Sequence, residues 1–405
     1  MAVYNLSGKG IGANSSFGTI NIAASDSSAS DKLKADIICT GTNDNATIQA
    51  AIDSFGDHSG IIQLANGHYY FDEFSVHDNY YYGIYLPKSQ REIIIRGVNH
   101  NHKYDNTSFN AIDECAVIEV TQAAYNVLPA NQESYVIGSS RDREFPYKII
   151  GVEDVSFTIP NYTKPVIGVD GAYCYCMHVE RCFFKSNGEY SNDDNINPKC
   201  VAVRGCGNGN IGYNYYFTHI KVIGWGTGFQ ITGEHLQAID CIAQRTVYGF
   251  VIGNTDEVPF PNGDNVGGHP ITMINCGAEF NKTAAIYFGR NSAWRNGITI
   301  IDFNMEFGKE SSNPWASDIL VTADDNSNWF GSLTYAVLRN YSPWIHIQKN
   351  CWDTLEHGKN IKTTDMVAPI SGTTQERPTD PVYLSQYFDT TLNKMLTWNG
   401  TEWVY

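Results

Sequence analysis

Two glutamates in a short internal repeat are the residues of this chain best placed for chemistry. The segment ITMINCGAEF at 271–280 aligns with ITIIDFNMEF at 298–307, so Glu279 and Glu306 occupy one position of the repeat. If the repeats form neighbouring strands, equivalent residues lie about 4.8 Å apart. Retaining glycosidases hold two carboxyl groups about 5–5.5 Å apart, and repulsion between such groups favours a proton on one of them. We therefore predict that the two glutamates form a catalytic pair.

The same alignment predicts a second column of polar residues. Asn275 and Asp302 share one position, and the preceding repeat IDCIAQR at 239–245 places Asp240 with them and Gln244 with the glutamates. We predict a catalytic role for Asp302 and substrate contacts for Asp240 and Gln244. Asp240 and Asp302 alternatively offer oxygen atoms to a cation, although no dedicated metal site is predicted.

Three further residues are predicted substrate contacts. Arg245 and His235 belong to the repeat before the first glutamate, and Trp225 offers an aromatic face for a sugar ring. If the reaction is an elimination, a base must remove the proton beside a carboxylate while a cation neutralises that carboxylate. Arg245 and His235 are then the predicted participants.

The carboxylate column has competing interpretations. An outward column of acids is also typical of a solvated surface, and an alignment shifted by one residue would exchange the inward and outward faces. Alternative sites are Asp193 and Asp194 in the polar loop 191–198, or Asp264 and His269 in a glycine-rich insertion. Ordinary turn chemistry explains these clusters equally well.

The composition restricts the class of protein. The 405 residues carry 27 Lys+Arg against 43 Asp+Glu, a formal net charge of −16, which disfavours nucleic acid and anionic membranes as partners. A hydrophobic content of 42% is ample for a core. No apolar run reaches the roughly 18 residues that span a bilayer, so no membrane insertion is predicted. The N-terminus lacks the apolar segment of a signal peptide.

The chain shows no pattern for a cofactor or a disulfide scaffold. P-loop and zinc-protease motifs are missing from the sequence, so no cofactor is predicted. Ten cysteines in 405 residues are too dilute for a disulfide framework. Cys174 and Cys176 are predicted to be small buried residues in preference to metal ligands.

Short strands separated by turns must position the predicted site. Glycine and asparagine interrupt brief apolar stretches along the whole chain. One helix is predicted in TGTNDNATIQAAIDS at 40–54, because Ile48, Ala51, Ile52 and Phe55 have helical spacing. Degenerate strand-rich repeats of twenty-odd residues are typical of a solenoid whose stacked coils bury one continuous core.

The two ends of the chain resemble a known family. The helix segment at 40–54, followed by GIIQLANGHYYF at 60–71, is similar to the opening of the pectate-lyase-like parallel β-helices of phage tail spikes. The stretch from Glu376 to Val404, which contains QYFDTTLNKMLTWNGTEWV, resembles a module at the ends of phage tail and receptor-binding proteins. The resemblance implies an all-β fold, a right-handed parallel β-helix solenoid with a short N-terminal capping helix.

The resemblance also implies a division of the chain and a function. An N-terminal arm is expected at 1–40, the β-helix at 41–365 and the tail module at 366–405. Such spikes are usually homotrimers, and many degrade the surface polysaccharide of the host. We therefore expect a polysaccharide depolymerase of the virion tail, made in the bacterial cytoplasm, with hydrolysis favoured over elimination. A receptor-binding or structural tail protein without catalysis is the alternative.

Overall fold

The structure is a computed structural model. It describes residues 18–87, 92–99, 115–141, 149–172, 174–188, 196–206, 215–232, 234–253, 255, 258–259, 269–288, 298–306, 317–321, 333–335, 338–339, 345–347, 361–363, 370–377, 386–399 and 401–405.

Helices are few and short in this part of the chain. They are α1 (Ala29–Lys34), α2 (Asp44–Asp53), α3 (Gln122–Val127) and a 3₁₀ turn at Thr374–Glu376. Among the described residues, none of the helices has the length and apolar character to span a membrane.

Strands dominate the fold. In the first half they are β1 (Gly18–Ala23), β2 (Ile37–Ile38), β3 (Gly60–Leu64), β4 (Gly67–Phe71), β5 (Ser75–His77), β6 (Tyr80–Leu86), β7 (Glu92–Gly97), β8 (Ala116–Val120), β9 (Ser134–Ser139), β10 (Ile149–Glu153), β11 (Val155–Ile159), β12 (Val166–Asp170), β13 (Cys176–Glu180), β14 (Phe183–Ser186) and β15 (Val201–Cys206). In the second half they are β16 (Tyr215–Thr218), β17 (Lys221–Ile223), β18 (Thr227–Thr232), β19 (Glu234–Ile239), β20 (Ile242–Gln244), β21 (Tyr248–Ile252), β22 (His269–Ile274), β23 (Gly277–Glu279), β24 (Ala284–Phe288), β25 (Ile298–Ile301), β26 (Phe303–Glu306), β27 (Ser317–Val321), β28 (Leu333–Tyr335), β29 (Leu338–Arg339), β30 (Ile345–Ile347), β31 (Ile361–Thr363), β32 (Ile370–Gly372), β33 (Gln386–Asp389), β34 (Lys394–Trp398) and β35 (Trp403–Val404).

Three long sheets form the body of the molecule. Sheet A has the strand order β2-β1-β3-β7-β10-β13-β16-β19-β22-β25-β28-β31, sheet B β29-β26-β23-β20-β17-β14-β11-β8-β4, and sheet C β30-β27-β24-β21-β18-β15-β12-β9-β6-β5. From β7 onwards the chain passes from A to B to C in every coil, and the strands of neighbouring coils pair in parallel. This arrangement confirms the predicted all-β parallel β-helix.

The core runs along the inside of the three sheets. In sheet A, Ile150, Met177 and Tyr215 follow one another in register and are essentially inaccessible to solvent. In sheet B, the rings of Phe157 and Phe184 stack with centroids 4.6 Å apart. Each coil therefore buries its inward side chains against the coils before and after it, as expected for a solenoid.

A left-handed residue marks the corner between sheets A and B. The residues there have φ between 50° and 59° in successive coils: Asp154, Arg181, His219, Asp240, Asn275 and Asp302. Their backbone N–H groups donate to the next coil, as Asp240 does to Ile274 O at 3.0 Å and Asn275 to Ile301 O at 2.9 Å. Asp and Asn tolerate this backbone region better than most residues, so the corner is built largely from them.

The cysteines whose side chains the structure describes are buried in the solenoid, apart from the half-buried Cys176. Cys182, Cys241 and Cys276 follow the corner residues and contact backbone carbonyl groups through their sulfur atoms. Burial raises the pKa of Cys182 to about 12. Cys174 is buried and Cys176 half-buried, and no three ligating side chains form a metal-sized group among the described residues. The structure thus supports buried thiols.

The start of the chain differs from the predicted arm. Strand β1 pairs in parallel with both β2 and β3, so Gly18–Ala23 and Ile37–Ile38, which lie within the predicted arm at 1–40, are strands of sheet A. The predicted helix is present as α2, where Ile48, Ala51 and Ile52 are buried. The first strand was missed because its sequence, GTINIA, is short and precedes a polar run.

The C-terminal residues form a small sheet of their own. Strand β32 pairs in parallel with β33, which continues antiparallel into β34 and β35. Arg377 donates to the buried Asp389, whose pKa is lowered by its hydrogen bonds despite the opposing effect of burial. The assignment of residues 366–405 to a phage tail module stays a prediction.

Four charged side chains form a cluster at sheet C, in which Arg204, Asp170 and Arg141 are buried and Glu133 is partly exposed. Arg204 donates from Nε to Asp170 at 2.8 Å, and from Nη1 and Nη2 to Glu133 at 2.7 and 2.9 Å. Arg141 places Nη2 3.0 Å from Asp170 and lies over the Tyr135 ring. Burial alone would raise the pKa of Glu133, but the guanidinium groups of Arg204 and Arg141 lower it to about 2. The two positive and two negative charges balance within the cluster.

Close approach of two coils predicts a strong effect at one glycine. A methyl group on Gly226 would lie 1.8 Å from the carbonyl oxygen of Asn197. Because backbone cannot move aside as a side chain can, we expect Gly226→Ala to lower the free energy of unfolding by about 2–3 kcal/mol. Gly277→Ala is the matched control, since its nearest non-neighbouring atom would be 3.3 Å away. Chemical denaturation measures both; equal losses would contradict the prediction.

Candidate active site

The repeat alignment correctly predicted the register of sheet B. Strands β20, β23 and β26 are neighbours, and their last residues, Gln244, Glu279 and Glu306, pair Cα to Cα. Adjacent strands lie about 4.8 Å apart. The backbone positions of the two glutamates therefore suit the carboxyl separation of a retaining glycosidase.

One side chain contacts the carboxylate of Glu279, and a second lies further along sheet B. Gln244 donates a hydrogen bond from Nε2 to Oε2 of the half-buried Glu279. Lys221 lies two strands earlier in sheet B; burial lowers its pKa, and the charge of Glu279 opposes that shift. The amide of Gln244 is therefore a direct partner of the Glu279 side chain, and Lys221 interacts with it electrostatically.

The second predicted column is the corner between sheets A and B. Asp240 accepts a hydrogen bond from the Asn275 amide, and His219 Nε2 lies 3.1 Å from Oδ2 of Asp240. Asp302 continues the column at φ 56°. The predicted stacking of Asp240, Asn275 and Asp302 is therefore present.

This corner column lies apart from the glutamates. Asn275 precedes Glu279 by one short strand, and Asp302 precedes Glu306 in the same way. At about 3.3 Å per residue, four residues of strand extend roughly 13 Å. Asp302 and Asp240 thus lie at the start of strands of sheet B, whereas Glu306 and Gln244 lie at the ends of the same strands. The catalytic role of Asp302 stays a prediction.

A second left-handed corner follows sheet B next to the glutamate column. It contains Gly224, Arg245 and Phe280, with φ of 72°, 55° and 54°. The backbone N–H of Arg245 donates to the Glu279 carbonyl at 2.9 Å. The predicted substrate contact Arg245 is therefore adjacent to Gln244 and one strand away from Glu279.

Two predicted substrate contacts lie elsewhere. Trp225 is fully buried, with its ring 5.9 Å from that of Phe184, so it is a core residue and offers no face to a sugar. His235 is exposed but lies at the beginning of β19 in sheet A. The whole strand separates it from the A–B corner, so the fold does not bring His235 to Glu279.

Several alternative residues fall outside the described part of the chain. These are Asp193, Asp194 and Asp264. His269 begins strand β22, and only its backbone is described.

Sequence reasoning missed three residues around the column. Lys221 and His219 belong to the preceding coil, whose sequence THIKVI lacks the acids used for the alignment. Phe280 ended the aligned repeat and was given no role, yet it is 39% exposed. The available signal was its place directly after a strand of three residues, where the chain must turn.

Comparison with known proteins adds one structural similarity. No family model matches the chain, and neither does any curated protein. The crystal structure of tailspike protein 3 from bacteriophage CBA120 aligns at 13% sequence identity and a TM-score of 0.19, covering 90% of this chain and 66% of that one. The fold is a parallel β-helix. That assignment depends on the register of the three sheets and not on this similarity.

Proposed function

We propose that the chain is a phage tail-spike-like protein that binds a bacterial surface polysaccharide and cleaves it on the outer face of sheet B. The register of Glu279 with Glu306 carries the proposal, because it supplies two carboxyl groups on adjacent strands. The similarity of the opening and closing segments to phage tail proteins supports the substrate class. A rigid sheet suits catalysis, since it holds both groups at a constant separation.

In this mechanism Glu279 is the nucleophile and Glu306 the proton donor. Gln244 donates a hydrogen bond from Nε2 to Oε2 of Glu279 and so holds that carboxyl group in place. The carboxylate of Glu279 attacks the anomeric carbon while Glu306 gives its proton to the departing glycosidic oxygen. Glu306, now ionised, takes a proton from water, and the water oxygen displaces Glu279 from the sugar. The products are a new reducing end of retained configuration and the regenerated site.

The neighbouring polar residues are proposed sugar contacts. Gln244 and Arg245 lie in the coil before Glu279 and offer amide and guanidinium donors to hydroxyl groups. Asp240 and Asp302, at the start of the sheet-B strands, are placed to accept hydrogen bonds from a neighbouring sugar of a long polymer. A polysaccharide that lies along the strands of sheet B would contact residues at both ends of these strands.

Elimination is the second candidate reaction, and Lys221 is the observation that favours it. Burial lowers the pKa of this lysine, which increases the share of neutral amine that can act as a base. Lys221 would remove the proton beside a uronate carboxylate, Arg245 would neutralise that carboxylate, and the glycosidic oxygen would leave. The product then carries a carbon–carbon double bond. His235 is unsuited to this role because of its distance from the column.

A homotrimer in the virion tail, assembled after synthesis in the bacterial cytoplasm, is also proposed. The notable negative charge of −16 per chain implies polar contacts between copies. We expect light scattering of the purified chain to give three times the mass of one copy at moderate salt. A monomer across the micromolar range would contradict this part of the proposal.

The test is a depolymerisation assay on a panel of bacterial capsule and cell-wall polysaccharides. Polymer size, new reducing ends and ultraviolet absorbance of unsaturated sugars are followed together. We expect shorter polymer and reducing ends without absorbance for one member of the panel. Ultraviolet absorbance would show an elimination and would assign the catalytic roles to Lys221 and Arg245 instead of the two glutamates. Retention of a polymer at constant length would support the non-catalytic receptor-binding protein instead.

A further inference from the structure

We propose that Phe280 is the stacking residue of this site and binds the apolar face of one sugar ring beside Glu279. The inference depends on the proposed function and adds a specificity-determining residue to it. The ligand class is a pyranose of the surface polysaccharide, with one face of C–H groups exposed.

The corner geometry turns two consecutive side chains outward. Ala278 and Asn281 are almost completely buried, whereas Glu279 is half-buried and Phe280 is 39% exposed. In a regular strand adjacent side chains point to opposite faces. The left-handed φ of 54° at Phe280 breaks that alternation, so its ring is exposed next to the glutamate and not inside the core.

The backbone at Phe280 is unfavourable for an aromatic residue. Bulky side chains are outliers in the left-handed region, where glycine is accommodated without strain. The corresponding corner of an earlier coil has Gly224 at φ 72°. The intervening coil has Arg245 at φ 55°, so a left-handed residue is a regular feature of this corner, and Phe280 is the position at which the corner presents an aromatic ring.

The neighbours of Phe280 complete a sugar-sized surface. In the preceding coil, Gln244 and Arg245 occupy the positions equivalent to Glu279 and Phe280, about 4.8 Å away. The result is an aromatic face with a carboxylate on one side and amide and guanidinium donors one strand distant. Tyrosine, tryptophan and phenylalanine rings bind through such large rigid faces, while polar neighbours orient the ligand.

The test measures binding of the polymer that the unaltered chain shortens in the panel, using Glu279→Gln as the parent so that the polymer stays intact. Adding Phe280→Leu is expected to weaken binding about tenfold or more, whereas Phe280→Tyr keeps the ring and should stay within about twofold. Tyr216→Leu is the matched control, because Tyr216 is 41% exposed on sheet A, away from the glutamates. Phe280→Asn, which suits the left-handed backbone, replaces Phe280→Leu if that variant fails to fold.

The outcomes separate this inference from the proposed function. Unchanged binding by Phe280→Leu, or an equal loss in Tyr216→Leu, would overturn the stacking role while cleavage by the unaltered chain still supports the site. A panel in which no polymer is shortened or retained overturns both. Loss in Phe280→Leu with recovery in Phe280→Tyr, at equal thermal unfolding midpoints, establishes the role of the ring.

Discussion

Arg204→Met is expected to lower the free energy of unfolding by about 3–5 kcal/mol. The guanidinium group is completely buried and donates to both Asp170 and Glu133. Removing one member of a buried charge cluster leaves the others without compensation, which costs far more than the loss of one hydrogen bond. Arg141 compensates only in part, since one guanidinium then faces two carboxylates.

Chemical denaturation of Arg204→Met and of a matched control measures this effect. Arg181→Met is that control, because Arg181 pairs with Asp154 in a similar way but its side chain is 31% exposed. We expect a loss of about 1 kcal/mol or less there. The double variant Arg204→Met with Glu133→Gln should lose less than the sum of the single changes, since the two groups interact directly. Additive losses would contradict the assignment.

The same cluster determines a pH dependence. The pKa of Glu133 is lowered to about 2 from an ordinary value of 4.5, so its contribution to stability is complete above pH 4.5. That contribution is lost as the pH falls from 4.5 towards 2, where the folded state takes up the proton. In Arg204→Met the folded-state pKa of Glu133 lies closer to its ordinary value, so the loss of stability between pH 4.5 and 2 should be smaller, and thermal unfolding between pH 2 and 6 measures the difference.

Glu279→Gln and Glu306→Gln are each expected to reduce the rate of polymer cleavage by about 10²–10⁴-fold. The amide keeps the shape of the side chain but neither attacks an anomeric carbon nor donates an acidic proton. The double variant should be no slower than the slower single variant by more than about tenfold, because the two groups act in one mechanism. Initial rates of reducing-end formation at saturating polymer are the measurement.

Asp302→Asn tests which end of the sheet-B strands holds the proposed catalytic centre. We expect less than about a tenfold loss of cleavage rate, because Asp302 lies roughly 13 Å along the strand from Glu306. A loss as large as that of Glu279→Gln would move the catalytic centre to the A–B corner. Full activity in both glutamate variants would remove the catalytic assignment altogether.

The sequence predicted the column of residues better than their surroundings. Alternating apolar residues in ITMIN and ITIID determine which face is inward, so aligning them also aligned Glu279 with Glu306. The corners obey no such pattern. One left-handed residue, such as Gly224, redirects the chain. The next residue, Trp225, is therefore buried in the core, although the sequence analysis predicted that its ring would contact a sugar.

Long-range pairing explains the remaining errors. His235 and Gln244 are nine positions apart and belong to one coil. Because each coil runs around the core, these two residues lie on different sheets, A and B, in spite of their proximity in sequence. Strand β1 depends on β2 and β3 for its pairing, and six residues without a periodic neighbour give no signal of that partnership. Neither relation is visible until the coils are stacked.

The connections between sheets A and B and those between sheets B and C differ in length, which affects where the chain can accept insertions. Only Asp154 separates β10 from β11, and only Asp302 separates β25 from β26, whereas β14 and β15 are separated by the stretch from 187 to 200. From β10 onwards length variation is therefore concentrated away from the A–B joint, whereas residues 98–115 separate β7 from β8. Connections of different length between sheets B and C would change the surroundings of the glutamate column while β23 and β26 keep their register. Under the proposed function, such changes would alter which polymer is bound and leave the two glutamates in place.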